Sequence, residues 1–144
     1  MTTLRAFGYV ARESMDLAIY LWPISVVLAA AAIAALTFRF PLRDAYLRRK
    51  LPIVFIPYAM PIVIMGIGAI LRYDGPPHPQ WVEPPEWRGR VLWSALAAHV
   101  LAVIAVVVLT RGARIRAAAI AVPSIWLSLS SGFTAGFAIA GVGP

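Results

Sequence analysis

One histidine lies inside a long apolar segment, where an ionisable side chain costs free energy unless it finds a partner. His99 is the only titratable side chain of the usual catalytic types within any apolar segment of the chain. Such a residue is by default a hypothesis for a functional site. The alternative is structural: a neutral imidazole donates to a hydroxyl or to a helix carbonyl and joins two helices.

Other polar side chains lie near the expected level of His99. We counted about eight residues inward from the predicted outer ends of the helices. The side chains at that level are Ser25, Ser130, Ser131 and Thr134, with Met65 not far away. If they lie together, they predict a polar layer in the outer half of a helical bundle, suited to line a small-molecule site or a water pocket.

Several chemistries are excluded or not indicated. The chain has no cysteine, which excludes disulfides, thiolate metal sites and thiol nucleophiles. It has no sequence motif of a known nucleophilic or metal-dependent enzyme, and the apolar segments hold no carboxylate to work with His99. The other histidine, His78, lies in a connection. The sequence therefore indicates no catalytic residue, no metal site and no particular cofactor.

The elements that must position these residues are membrane-spanning helices. Of the 144 residues, 61% are hydrophobic and 13% are charged. Apolar runs cover Leu17–Phe38, Leu51–Leu71, Val91–Thr110 and about Ala117–Val142. Each has about 20 residues or more, enough for a helix to cross a hydrocarbon core of about 30 Å. The sequence predicts an all-α membrane protein whose residues 17–144 form a bundle of four transmembrane helices.

The basic residues predict the orientation of this bundle. The connection Arg39–Lys50 and the short connection with Arg111, Arg114 and Arg116 together hold eight basic residues and one acidic residue, which accounts for the net charge of +7. Short loops rich in Lys and Arg lie on the cytoplasmic side. We expect both termini on the outer, periplasmic side of a bacterial inner membrane. The charge then suits anionic lipids, and no nucleic-acid partner is expected.

The first sixteen residues differ from the apolar runs. Leu4, Phe7, Ala11 and Met15 recur at spacings of three and four, which predicts an amphipathic helix. We expect residues 1–16 to lie in the outer membrane interface as a segment separate from the transmembrane domain.

The second apolar run contains three prolines. Pro52 fits the first turn of a helix, whereas Pro57 and Pro61 each remove an internal hydrogen bond, so a kinked second helix is expected. Such a kink is either a fixed bend or part of a transport pathway, where freed carbonyls bind ions.

Two surfaces indicate association with other helices or proteins. Small residues recur every four positions in the last helix, at Ser124, Ser128, Gly132, Gly136 and Ala140. Their partner is a helix within the chain, for example the face with Ala30 and Ala34, or another subunit. The outer connection 72–90 is rich in proline and carries Trp81 and Trp87. It is either a docking loop or a stiff cap on its own bundle.

These features favour a non-catalytic membrane subunit that packs in, and stabilises, a larger membrane complex. The partners are then the lipid bilayer and other membrane subunits or further copies of the chain. The first alternative is a small oligomeric transporter or channel with its site near His99 and the kinked second helix. The second is a membrane enzyme or cofactor binder acting on a lipid or a quinone-like molecule.

Overall fold

The computed structural model of the protein describes residues 2–37, 49–73 and 85–141. Of these residues 91% are helical and none lies in a strand, which confirms the all-helical prediction. In chain order the helices are α1 (Thr3–Tyr20), α2 (Trp22–Thr37), α3 (Arg49–Ile70), α4 (Glu86–Leu109) and α5 (Arg114–Ala140). Helices α3, α4 and α5 are long and apolar enough to cross a membrane, and α1 and α2 together could form a fourth, bent crossing.

Helix α5 lies at the centre of the bundle, because each of the other helices packs against it. Alanine, glycine and serine occupy many of its buried positions, so neighbouring backbones can come close. Apolar side chains fill two clusters along it. One surrounds Val54 and Ile120, towards the end of the bundle where Arg114 begins α5, which we call the basic end. The other surrounds Ile64 and Ile139, towards the opposite end.

The first apolar run does not form one straight helix. The chain breaks at Leu21, and the axes of α1 and α2 differ there by 89°. Pro23 explains the break, because it has no N–H to donate and its ring would clash with the carbonyl of the fourth residue before it. The structure thus differs from the predicted single span Leu17–Phe38. The first turn of that span belongs to α1, and Phe38 lies outside the described residues.

Helix α1 packs on α3 and α5 through a narrow face. The buried residues of this face are Ala6, Val10 and Ser14, which recur every four positions. The sequence-based apolar face points elsewhere: Leu4 and Met15 are exposed. Small side chains form the contact because they let α1 lie close to the bundle, so residue size predicts this face better than hydrophobicity does.

Prolines change the backbone of α3. The segment Ile56–Ala59 is a 3-10 helix, in which the buried Pro57 has no N–H to give to a helical hydrogen bond. The hydroxyl of Tyr58 in this segment donates to the carbonyl oxygen of Ile120 on α5, 2.6 Å away. That contact lies one turn before Pro123 inside α5. The two helices are therefore joined where each has a proline.

The tightest approach between helices joins α3 and α5. A Cβ atom built on Gly68 would lie 2.5 Å from the Cβ and 2.8 Å from the Cα of Ala135. Only glycine fits such a distance. Sequence reasoning did not single out this pair, because a lone glycine in an apolar run does not reveal which residue of another helix it meets.

An arginine joins α2 to the central helix at the basic end. The Nε of Arg116 donates to the carbonyl oxygen of Ala35, 2.8 Å away. Ala35 belongs to the last turn of α2, whose carbonyls have no partner within their own helix. A cation at this end also interacts favourably with the dipole of α2. Arg116 thus stabilises the end of a helix besides contributing to the positive charge of its connection.

Candidate functional site

His99 is buried at the contact between α4 and α5. Its Nε2 lies 2.9 Å from the hydroxyl oxygen of Ser124, and that hydroxyl lies 2.6 Å from the carbonyl oxygen of Ala121. A hydroxyl has one proton, which Ser124 gives to Ala121, so His99 donates from Nε2. In the neutral ring Nδ1 is then the unprotonated nitrogen. The partner of His99 is thus Ser124, a residue of the predicted packing stripe.

Besides the Nε of Arg88 in the first turn of α4, two buried side-chain polar atoms on α4 and α5 have no hydrogen-bond partner among the described residues. They are the Nδ1 of His99 and the hydroxyl oxygen of Ser128, one turn beyond Ser124. A ring nitrogen that accepts and a hydroxyl that donates are chemically complementary. Leaving such groups unpaired in a membrane interior costs free energy, so each of these two atoms marks a place in the bundle that would suit a ligand or a water molecule.

Ser25 makes a different contact from the one predicted. Its hydroxyl donates to the carbonyl oxygen of Ala18 in α1, 2.7 Å away, and accepts from the indole Nε1 of Trp126 in α5, at 3.0 Å. The hydroxyl of Ser25 therefore joins α2 to α1 across the bend and also joins this region to the central helix. Trp126, which is near the middle of α5, obtains the hydrogen-bond partner that a half-buried indole requires.

Thr134 pairs with a residue that sequence reasoning missed. Its hydroxyl oxygen lies 2.7 Å from that of Ser14, which is buried and donates to the carbonyl oxygen of Val10. The contact joins α1 to α5. The available signal was the four-residue spacing of Ala6, Val10 and Ser14, since a serine that continues an apolar face is expected to meet another helix.

The remaining residues of the predicted polar layer are Ser130, Ser131 and Met65, and their contacts are local. Ser130 and Ser131 donate to the carbonyl oxygens of Trp126 and Leu127 one turn earlier in α5. Met65 packs against the apolar cluster near the end opposite the basic end. The structure thus has separate interhelical pairs in place of one shared layer. They form because Ser124, Trp126 and Thr134 of α5 each meet a different neighbouring helix.

The small-residue stripe of α5 faces α4 and not the alanines of α2. A Cβ atom on Gly132 would lie 3.1 Å from Leu96, and one on Gly136 would lie 4.0 Å from Leu92. The stripe therefore has a partner within the chain. Ala30, suggested as its neighbour, is instead exposed on α2. The structure therefore differs from the expectation that this stripe meets the alanines of α2. After the bend at Leu21, α2 packs on another part of α5.

Of the two tryptophans of the predicted outer loop, only Trp87 can be placed. It belongs to the first turn of α4 and is about half exposed. The distance from the centroid of its ring to the guanidinium carbon of Arg88 is 5.5 Å. Trp81 lies outside the described residues. Helix α4 begins at Glu86, inside the segment predicted as a loop, and Pro85 is the residue before it.

Two cavities open beside α5. An acidic cleft of about 460 Å³ lies between α1 and α5, with Glu13, Asp16, Phe133 and Phe137 in its wall. An apolar groove of about 510 Å³ lies between α4 and α5 and includes Trp93 with the same two phenylalanines. Both volumes fall in the range of small-molecule pockets. Neither cavity was predicted from the sequence, because each is formed by residues from separate helices.

Metal chemistry finds no support in the described ranges. They contain no group of three or more His, Cys, Asp or Glu side chains placed to hold an ion. Glu13 and Asp16 share a cleft, but two carboxylates on one helix do not make a metal site of the usual kind. Comparison with known proteins adds no assignment: no family model, no curated protein and no solved structure matches the chain.

Proposed function

We propose that the protein is a non-catalytic integral membrane subunit that packs in a larger membrane complex and stabilises it. The observation that carries the proposal is the use of its buried and half-buried polar side chains. His99 with Ser124, Ser25 with Trp126, and Ser14 with Thr134 each join two helices. Polar groups used in this way hold a bundle together and are not free to act on a substrate.

The proposed docking surface is the outward face of α2. Ala35 is the one buried residue of α2. Ala29, Ala30 and Ala31 of the same helix are exposed. Helix–helix contacts in membranes are enriched in small residues, which let two backbones come close. An exposed run of alanine on a helix that touches its own chain on one side thus suits a helix of another subunit.

The proposed topology follows the charges and the bend. The basic end faces the cytoplasm, both termini face the outside, and the chain lies in a bacterial inner membrane. The 89° bend supports an interfacial position for α1, because a helix at right angles to a membrane-crossing α2 lies along the surface. Trp87 near this surface and Trp81 of the outer connection would supply further docking contacts.

The mass of the native particle tests this proposal. The protein is solubilised gently from its own membrane and examined by native mass spectrometry. We expect other membrane proteins in fixed ratio to this chain. A particle containing only this chain would contradict a role in a larger complex, and a retained small-molecule mass would then favour a carrier or a cofactor binder.

Replacing an exposed alanine of α2 by a bulky residue should disrupt the complex. Ala30→Phe places a bulky ring on the proposed docking face, where it prevents close approach of a partner helix. We expect the fraction of chain in the larger particle to fall at least about fivefold, corresponding to about 1 kcal/mol of association free energy. Ala105→Phe on α4, also at an exposed alanine, is the matched control. If both variants assemble equally well, α2 is not the docking surface.

The second candidate function is a small carrier with its site near His99. The unpartnered atoms of His99 and Ser128 favour it, because a wet or ligand-binding site would satisfy both. In that case water must reach this part of the contact between α4 and α5. A purely structural pair would instead stay dry.

Cysteine labelling separates the two candidates. Since the chain has no cysteine, Ser128→Cys introduces a single thiol with no background. The subunit proposal predicts that a charged thiol reagent leaves Ser128→Cys unlabelled in native membranes, while the exposed Arg111→Cys reacts completely. Ser131→Cys, at a buried serine whose hydroxyl is paired, serves as the dry reference. Labelling of Ser128→Cys well above that reference would favour the carrier.

A further inference from the structure

The acidic cleft carries negative charge that its own residues leave mostly uncompensated. Glu13 has no ion pair among the described residues, and Asp16 has an exposed one, 3.8 Å from Arg12. Exposed pairs of this kind contribute little free energy. Among the described residues, no basic side chain lines the cleft. A positively charged group would therefore find two carboxylates there.

Aromatic rings complete the cleft. Tyr9 and Tyr20 from α1 face Phe133 and Phe137 from α5 across it. The two phenylalanines meet edge to face, with ring centroids 4.6 Å apart. Aromatic faces attract ammonium groups, most strongly where water is partly excluded. Carboxylates together with aromatic rings favour an organic cation over a small hydrated ion.

The apolar groove begins at the same two phenylalanines. Its wall consists of apolar residues and the three glycines Gly89, Gly132 and Gly136, which leave the space that larger side chains would fill. None of the wall residues that the structure describes is charged. Along α4 the groove extends from Gly89 to Leu96, a distance of about 10 Å at the rise of a helix. Such a groove suits an alkyl chain.

We propose that the cleft and the groove form one binding site for a single-chain lipid with an amine head group. The ammonium group occupies the cleft beside Glu13 and Asp16, and the chain passes Phe133 and Phe137 into the groove. Phe133 and Phe137 line both cavities, so the cleft and the groove lie on adjoining sides of the same two rings. A phosphate head group would be repelled by the carboxylates. A partner helix, about 10–12 Å across, is too wide for a groove of this volume.

Fluorescence quenching of Trp93 tests this site. The full-length protein is placed in nanodiscs of zwitterionic lipid and titrated with an alkylamine that carries bromine at the chain end. The alcohol of the same chain length is the reference ligand. We expect saturable quenching at an amine concentration about tenfold below that needed for the alcohol, because the alcohol lacks the charge. Trp93→Phe should remove most of the quenching.

Substitution of one carboxylate identifies the head-group contact. Glu13→Gln should raise the half-saturation concentration of the amine about fivefold and leave that of the alcohol unchanged. Glu86→Gln, at an exposed carboxylate at the start of α4, is the matched control. If Glu13→Gln lowers helix content or gives an aggregated particle, Asp16→Asn replaces it.

Three results would overturn the proposal. The first is equal half-saturation of amine and alcohol with the unaltered protein, which indicates partition into the bilayer. The second is a carboxylate variant that binds the amine as tightly as the unaltered protein. The third is full quenching in Trp93→Phe, which would place the chain outside the groove. The site does not depend on the proposed subunit function, since its described wall residues belong to α1, α4 and α5 and not to α2.

Discussion

Gly68→Ala is expected to lower the free energy of unfolding by about 1–3 kcal/mol, and by more if the bundle cannot adjust. The added methyl group would lie 2.5 Å from the Cβ of Ala135, a distance that real side chains do not reach. The nearest atoms include the Cα of Ala135, so no side-chain rotation relieves the clash. Helices α3 and α5 must separate, and the apolar cluster around Ile64 loses contacts. Unfolding by denaturing detergent in mixed micelles measures the change.

Gly66→Ala is the matched control for this substitution. Gly66 lies two residues earlier in the same helix, and a Cβ atom there meets nothing within 4 Å. The same change should be neutral or stabilise by up to about 1 kcal/mol, because alanine favours helix more than glycine does. If both variants unfold at the same detergent concentration, the close approach of α3 and α5 at Gly68 is wrong.

Arg116→Ala is expected to lower the free energy of unfolding by about 1–2 kcal/mol and to loosen the end of α2. The guanidinium of Arg116 gives the carbonyl of Ala35 a charged donor, and hydrogen bonds to charged groups are worth about 1.5–3 kcal/mol where they are buried. Arg116 is partly exposed, which reduces this figure. Hydrogen exchange of the last turn of α2, measured by mass spectrometry, should become faster in the variant.

Arg114→Ala separates this contact from the effect of charge on topology. Both substitutions remove one basic residue from the same connection, so they weaken the orientation signal equally. Arg114 is exposed at the start of α5. We expect exchange at the end of α2 to stay as in the unaltered protein. Faster exchange in both variants would mean that net charge, and not the Arg116 hydrogen bond, stabilises this region.

Composition and hydrophobic runs were sufficient to predict a helical chain with several apolar helices. Long stretches without charge leave few alternatives, because in lipid each backbone polar group must be paired within the segment. The same runs did not reveal the break at Leu21. Pro23 stands near the start of the first run, a position where proline is compatible either with a helix start or with a bend. In the structure Pro23 stands just after a bend, and α1 and α2 both pack against α5.

The polar side chains show where prediction from one sequence stops. His99 and the serines and threonine of the other helices could be identified as unusual, because a polar group in an apolar run always needs a partner. The depth of each polar residue along its helix could be counted from the sequence. The partner that each one meets could not be predicted, since it depends on how each helix is rotated and on which helices are neighbours. His99 therefore meets Ser124, and Thr134 meets Ser14.

The sequence by itself determined the helical class, the apolar segments, the concentration of positive charge in two connections and the small-residue stripe of α5. These are properties of local composition and spacing. Only the tertiary structure decided that α5 is central, that Gly68 meets Ala135, and that an acidic cleft and an apolar groove share two phenylalanines. The physical reason is that cavities and close approaches arise between residues distant in sequence, whose relative positions depend on the packing of whole helices.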